Sequence, residues 1–318
     1  MRMTKGLALR RVSNGLWFII RTLLIASLAF LILNPVFIKG ITAFKDVADY
    51  ADPTVFYIPK HPTTEYLKTM LEFLDYAPTL LRSLAFTTIN ALLQTLACAF
   101  TAYSLARFKY KLRKAVFIMV ILTMVVPSQT TLIPLFLQFK FFDIRNILSA
   151  LLLAPPSGGT DLINTPWPIL LLSMTALGLK NGLFIFIFRQ YFRNLPVVLE
   201  EAAYIDGCNP MRAYFSIVAP CSVTMLVTVF LFSFVWIWND NLFTSYLAPD
   251  MGIMSSKLNG IGWRIGYYLG STALDSTGFL SSVYGSVGVL LHMIPVLLLY
   301  IFAQKFFIQS IERSGIVG

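Results

Sequence analysis

Six long apolar segments constrain this 318-residue chain more than any other feature. They cover residues 17–38, 78–106, 115–142, 167–189, 221–243 and 281–306. A helix of about 20 apolar residues crosses the hydrocarbon core of a bilayer, so each segment is long enough to be a span. Only 13% of the residues are charged, about half the share of a typical soluble domain. We therefore predict an all-α, polytopic membrane protein with six transmembrane helices, and the composition excludes a disordered chain.

The distribution of lysine and arginine predicts the orientation, because these residues concentrate in cytoplasmic loops. With a cytoplasmic N-terminus, the inner segments hold 14 of the 25 basic residues and the outer segments hold 8. Residues 107–114 alone carry five. We expect both termini in the cytoplasm, residues 1–16 as a cytoplasmic N-terminus and residues 17–318 as the transmembrane domain. The first apolar segment is too long for a cleaved signal peptide.

The remaining composition argues against an enzyme. The net charge of +10 lies beside apolar segments, where it reports topology rather than nucleic-acid binding. Cys98, Cys208 and Cys221 have no metal-ligand spacing and predict no disulfide framework. His61 and His292 are far apart, and paired carboxylates or nucleophile motifs are missing from the sequence. We expect no catalytic residue and no metal site.

An inner loop at about residues 190–220 carries the signals of a helical hairpin. Residues 199–205 are good helix formers, and Gly207 can adopt a left-handed backbone that ends the first helix. Asn209 can cap a second helix, and Pro210 suits its first position. A bent hairpin of mixed polarity is either a docking element or an ordinary connection, and these residues alone leave both possibilities open.

The same loop contains a recognisable motif. Glu201-Ala202-Ala203-x-x-Asp206-Gly207, followed by Ile217 and Pro220, resembles the EAA loop of ABC importer permeases. Five further segments are similar to carbohydrate-class, maltose-type permease subunits, the inner-membrane components of binding-protein-dependent transport: 102–108, 126–135, 189–196, 238–240 and 304–309. The resemblance covers roughly residues 10–318.

Four departures from the family pattern accompany this resemblance. Ala219 stands where leucine is usual before the proline, and Tyr214 stands where phenylalanine or another apolar residue is common. The tail Ile316-Val317-Gly318 lacks the usual lysine, and the outer loop near residues 155–160 is longer than usual. The first two changes preserve the shape of the EAA loop, whereas the longer outer loop bears on how a binding protein docks.

The resemblance implies a type I ABC importer permease fold whose EAA loop, at about residues 190–220, docks in a cleft of a separate cytoplasmic ATPase. It implies these ATPase-coupling residues: Glu201, Ala202, Ala203, Asp206, Gly207 and Pro220. Glu201 would offer its charge to a basic group of the ATPase. The sequence has no G-x-x-x-x-G-K-[ST] phosphate loop, so this chain is expected to be a transport subunit without a cofactor, and ATP is expected on the partner ATPase subunits.

The implied partners are a second homologous permease subunit, two cytoplasmic ATPase subunits and an extracellular solute-binding lipoprotein. The lipid bilayer would be that of the bacterial cytoplasmic (inner) cell membrane, and no nucleic acid is expected. We expect a sugar or oligosaccharide as the solute, with a polyol or a glycerol-phosphate type of solute as the alternative. An ion-coupled secondary transporter would be expected to show internal repeats and buried ion-coordinating acids, and the sequence shows neither.

Polar groups inside apolar segments are costly and serve as candidates for the substrate path. The candidates are Lys180, Asn181, Gln129, Asn239 and Asp240. Lys180 lies near the middle of segment 167–189, unless the fourth span begins later and leaves it near the outer surface. Gln129, Thr130 and Thr131 follow Pro127, where we predict a kink, and these polar groups either line a path or satisfy freed backbone groups. Asn239 and Asp240 equally fit an interfacial helix end.

Overall fold

The structure, a computed structural model, describes residues 2–142, 159–270 and 278–315. Within these ranges the chain is mainly helical and forms no β-strand, which confirms the predicted all-α class. The helices are α1 (Arg2–Thr42), α2 (Val47–Ala51), α3 (Glu65–Leu74), α4 (Tyr76–Arg107), α5 (Arg113–Val125), α6 (Ser128–Lys140), α7 (Trp167–Met174), α8 (Asn181–Asn194), α9 (Val198–Ile205), α10 (Pro210–Ala213), a π-helix (Tyr214–Val218), α11 (Ala219–Cys221), α12 (Val223–Trp238), α13 (Leu242–Leu247), α14 (Met254–Leu258), α15 (Ile261–Tyr268) and α16 (Phe279–Gly315). Most of the predicted loop at 155–160 and the tail at 316–318 lie outside the described residues.

The described helices include three that are long and apolar enough to cross a membrane singly. They are Asn14–Thr42, Tyr76–Arg107 and Ser281–Lys305. Two bent pairs bring the number to five if each is one span. The first pair, α5 and α6, bends by 105° around Val126 and Pro127, as the proline predicts. The second joins Pro210–Cys221 to α12 with a bend of 80°. The predicted count of six is therefore not confirmed.

The prediction of a continuous helix over residues 167–189 is wrong. Helix α7 ends at Met174 and α8 begins at Asn181. Between them, Ala176 and Lys180 adopt positive φ angles of 57° and 62°, a conformation that a right-handed helix cannot contain. Lys180 therefore lies in a break between two short helices, and a depth counted along one helix from Trp167 does not apply to it.

One compact unit comprises Met1–Phe73 and Gly260–Leu291. The segment between α2 and α3 carries an ion pair in which the Lys60 ammonium lies 2.7 Å from the Asp52 carboxylate. The hydrogen bond from Lys60 makes the largest contribution to holding the pKa of Asp52 well below its usual range, and the hydrogen bonds from Thr54 add to it. Asp52 is therefore ionised and paired with Lys60 over the physiological pH range.

The second unit comprises Leu74–Asn259 and His292–Gly318, with α4 packed against α7, α8 and α12. A polar stripe of α4 is buried, and its members are Thr79, Ser83, Thr87, Asn90 and Gln94. Its exposed face is mainly apolar and includes Leu81, Ile89, Leu92 and Leu96. This pattern, polar inside and apolar outside, suits a helix surrounded by lipid, where buried polar groups bind neighbouring helices.

Candidate functional site

Residues 198–213 form the helical hairpin predicted from the sequence, here called the coupling hairpin. Gly207 follows α9 with φ at 81°, and the backbone N–H of Cys208 donates to the Ala203 carbonyl at 2.9 Å. This hydrogen bond and the left-handed Gly207 cap the C-terminus of α9. The Asn209 side chain accepts a hydrogen bond of 2.8 Å from the Arg212 N–H and caps α10. The predicted helix, break and second helix are therefore confirmed.

A buried ion pair fastens the coupling hairpin to the last turn of α4. Glu200 is only 3% exposed, and its Oε1 lies 2.7 Å from Nε of Arg107. This is a contact between opposite charges rather than an aligned hydrogen bond. The Tyr103 hydroxyl donates to Oε2 of Glu200 at 2.8 Å, and a terminal nitrogen of Arg107 donates to the Leu195 carbonyl at 2.8 Å. All charges of the pair thus have partners inside the protein.

Aromatic side chains pack beside this ion pair. The buried ring of Tyr214, in the π-helix that follows the hairpin, lies 4.9 Å from the Tyr103 ring and 4.8 Å from the Phe100 ring, measured between centroids. Phe192 of α8 contacts Tyr103 edge to face at 5.9 Å. The cluster therefore connects α4, α8 and the end of the hairpin through one set of rings.

The side of the coupling hairpin that faces away from α4 is exposed to solvent. Ile205 is 86% exposed and Met211 62% exposed. Among the predicted coupling residues, one is buried and five are exposed: Ala203 is buried, whereas Glu201, Ala202, Asp206, Gly207 and Pro220 are exposed. An apolar tip beside exposed carboxylates is the surface that a separate protein would cover.

A cavity of about 1130 Å³ opens in the second unit between the α7–α8 break and the bent pair α5–α6. The described candidates that line it are Lys180, Asn181 and Asp240. Gln129 and Asn239 do not line it, although Thr130, Thr131 and Gln138 do. The structure thus places three of the five predicted substrate-path residues on one cavity. Thr130 and Thr131, which follow the predicted kink, also line it, and so does Gln138, which the sequence did not single out.

Lys180 and Asn181 differ sharply in their surroundings. The exposed Lys180 ammonium lies 5.0 Å from the centroid of the Trp236 ring, a cation–π distance. Asn181 is 3% exposed, and its side-chain oxygen accepts a hydrogen bond from Gln94. Ser233 donates to the same Gln94 side chain. Lys180 is therefore available at the cavity, whereas Asn181 belongs to a polar network that joins α4, α8 and α12.

Asp240 and Asn239 have local partners. The Asp240 carboxylate accepts hydrogen bonds from the backbone N–H groups of Phe243, at 3.2 Å, and Thr244, at 2.9 Å. These bonds satisfy N–H groups in the first turn of α13. The Asn239 amide donates to the Val235 carbonyl at 2.8 Å. Both contacts match the alternative interpretation of this segment as a helix end.

Sequence reasoning missed four residues that organise the site. They are Glu200, Arg107, Tyr103 and Gln94. Glu200 stands next to Glu201, and the sequence gives no signal that one faces inward and the other outward. Among the described residues, no group of three His, Cys, Asp or Glu side chains is arranged to hold a metal ion.

Comparison with known proteins points to one family. Residues 94–313 match the sequence model of the binding-protein-dependent transport system inner membrane component family. The chain is 26% identical over 298 residues to the melibiose/raffinose/stachyose import permease protein MelC of Bacillus subtilis, covering 93% of this chain and 96% of that protein. It is 28% identical over 214 residues to the sn-glycerol-3-phosphate transport system permease protein UgpE of Pectobacterium atrosepticum, covering 67% of this chain and 65% of that protein.

A solved structure shares the fold. It is the crystal structure of a bacterial ABC transporter involved in the import of the acidic polysaccharide alginate. The match has a TM-score of 0.68 and covers 93% of this chain and 98% of the chain in that structure, with 18% sequence identity. At this identity the likeness shows the permease fold and nothing about the solute.

Proposed function

Because the chain belongs to the family of binding-protein-dependent transport system inner membrane components, we propose that it translocates a sugar or oligosaccharide delivered by an extracellular binding protein. It does so as one membrane-spanning subunit of an ATP-driven importer in the bacterial cytoplasmic membrane, with both termini in the cytoplasm. A second homologous permease and two cytoplasmic ATPases complete the transporter. ATP is bound and hydrolysed on those ATPases, and this chain contributes no cofactor.

The observation that carries this proposal is the exposed coupling hairpin. Its tip presents Ile205, 86% exposed, between the exposed carboxylates of Glu201 and Asp206. A cleft with an apolar floor and a basic rim would cover these groups, because it would bury the isoleucine and pair the charges. Movement of the ATPase would then push the hairpin and shift the helices between inward- and outward-facing states.

The solute path runs through the cavity beside the α7–α8 break. Broken helices are tolerated in membranes where they line a cavity, and this one places Lys180 at the cavity wall. Hydroxyl-bearing and amide side chains, Thr130, Thr131 and Gln138, line the same space. These groups can exchange hydrogen bonds with sugar hydroxyls, and Lys180 can donate to a hydroxyl or pair with an acidic group.

A polyol or glycerol-phosphate type of solute is the second candidate. The similarity to a glycerol-3-phosphate permease favours it, as does the exposed ammonium of Lys180 at the cavity. A ligand screen separates the two candidates. If the solute is a sugar, a neutral oligosaccharide should raise the melting temperature of the cognate binding protein. If it is a polyol or glycerol-phosphate type of solute, a polyol or phosphorylated compound should raise it instead.

The coupling role is tested by affinity purification of the whole transporter. Ile205→Asp should abolish recovery of the ATPase with the permease, since it places a charge in the apolar contact. Leu112→Asp is the matched control, because Leu112 is 68% exposed in the predicted inner segment 107–114, outside the hairpin. Equal ATPase recovery with the Ile205 variant and the wild type would refute the assignment of the hairpin.

A further inference from the structure

We propose that Glu200, Arg107 and Tyr103 form a joint that transmits hairpin movement to α4, and that the three act as positioning residues for transport. The inference rests on the proposed docking of the coupling hairpin on an ATPase. It concerns a different surface of the hairpin, the one that packs against α4. Glu201 and Glu200 are neighbours on α9, yet Glu201 is exposed and Glu200 is 3% exposed.

The hairpin needs such a joint because its helices are too short to hold their own position. Helix α9 has 8 residues and α10 has 4, whereas isolated helices below about 12 residues are marginal in water. Their placement therefore depends on what they are fastened to. The fastening at Glu200 reaches the end of α4, a helix of 32 residues that contacts α7, α8 and α12. A push on α9 is thus delivered to the longest helix of this unit's core.

The joint depends on a buried charge that has its partners on α4. A buried carboxylate is costly unless it is paired and hydrogen-bonded. One carboxylate oxygen of Glu200 contacts the Arg107 guanidinium, and the other accepts a hydrogen bond from the Tyr103 hydroxyl. Arg107 is the last residue of α4, where a cation is favoured by the helix dipole. Its further bond to the Leu195 carbonyl ties the chain just before α9. Rotation of the hairpin away from α4 would break both contacts of Glu200 together.

Two adjacent glutamates therefore have separable roles. Loss of Glu201 should weaken ATPase capture, whereas loss of the Glu200 charge should leave capture largely intact and uncouple it from transport. The test uses the complete transporter in proteoliposomes, with ATP hydrolysis and solute uptake measured together. Glu200→Gln should lower the solute carried per ATP by about tenfold, the factor that corresponds to about 1.4 kcal/mol and lies within the range measured for coupled pairs.

A double-mutant cycle identifies the pair. Arg107→Met should lower the transport ratio like Glu200→Gln, and the double variant should lose no more than either single variant, because each single change leaves one buried charge unpaired. Arg107→Lys should restore part of the ratio, since it returns the charge. Lys111→Met is the control, an exposed cation on the same inner segment, and it should transport normally. Additive losses, or a normal ratio in both single variants, would overturn the joint.

A distance measurement removes the dependence on activity. Spin labels at Ile205→Cys and Leu81→Cys, both exposed positions, report the hairpin relative to α4 once Cys208 and Cys221 are replaced by serine. Glu200→Gln should broaden the distance distribution or add a second population. An unchanged narrow distribution would contradict the proposal. Where Glu200→Gln folds poorly, Tyr103→Phe deletes one hydroxyl of the joint and should broaden the distribution in the same way.

These outcomes are distinguishable from failure of the proposed function. If the hairpin does not dock on an ATPase, Glu201→Gln and Ile205→Asp leave ATPase recovery unchanged. If docking is correct but the joint is not, those two variants lose the ATPase, while the Glu200 and Arg107 variants keep the normal ratio of solute to ATP.

Discussion

Replacing Gly207 by alanine should weaken ATPase binding through the backbone of the coupling hairpin alone. Gly207 adopts φ of 81°, and a residue with a Cβ costs about 1–2 kcal/mol in a left-handed conformation. A Cβ added at Gly207 would have no heavy atom within 4 Å apart from its own neighbours in the chain, so no steric clash adds to this cost. A penalty of this size lowers the equilibrium constant for forming the native hairpin by a factor of about 5–30. The apparent affinity for the ATPase should fall by up to this factor, because only the native hairpin binds.

The assay is titration of the purified ATPase against the permease in lipid nanodiscs. Gly260→Ala is the matched control, because Gly260 also has positive φ, at 65°, and an open environment, but it lies outside the hairpin. It should carry a similar backbone cost with normal ATPase affinity. Gly207→Asn should lose less, since asparagine tolerates the left-handed region. Wild-type affinity in Gly207→Ala, or an equal loss in Gly260→Ala, would refute the reasoning.

Three further predictions follow from single contacts. Glu201→Lys should lower ATPase recovery by about tenfold with normal membrane insertion, because it reverses an exposed charge at the proposed contact; normal recovery would contradict this. Lys180→Met removes the ammonium near Trp236 and should lower uptake with normal assembly and basal ATPase activity, whereas unchanged uptake would remove Lys180 from the path. Because Lys60 depresses the pKa of Asp52, the stabilisation is complete above the unfolded-state pKa of about 3.9 and is lost as pH falls through the lower folded value. Thermal unfolding of Asp52→Asn should therefore differ from the wild type near pH 6 and converge with it in strong acid; a difference that persists in strong acid would contradict the ion pair.

The coupling hairpin could be predicted because its signals are local. Gly207 fixes the left-handed turn, Asn209 supplies the capping oxygen, and Pro210 begins the next helix. Each effect depends on residues within a few positions. The bend at Pro127 was predictable for the same reason.

The α7–α8 break was not predictable, because distant residues shape it. A Cβ at Gly178 would lie 3.4 Å from the Gln94 and Asn181 amide nitrogens. A Cβ at Gly182 would lie 2.9 Å from the Val120 carbonyl and would collide with the Thr123 hydroxyl. The two glycines thus allow α4 and α5 to approach this segment closely. The hydropathy of residues 167–189 does not indicate those contacts.

The choice between Glu200 and Glu201 was hidden for a related reason. Glu200 is inward because Arg107 and Tyr103, more than 90 positions earlier in the chain, meet it at the end of α4. Single-sequence reasoning sees two adjacent glutamates on a short helix. Only the packing of α9 against α4 separates the buried, paired carboxylate from the exposed one.

Solute uptake by reconstituted proteoliposomes tests the central claim most directly. The vesicles contain this chain, its partner permease and both ATPases, with binding protein and solute outside and ATP inside. We predict uptake that requires ATP and the binding protein, and that stops when this chain is omitted. Uptake by this chain as the only protein, driven by an ion gradient without ATP, would contradict the claim.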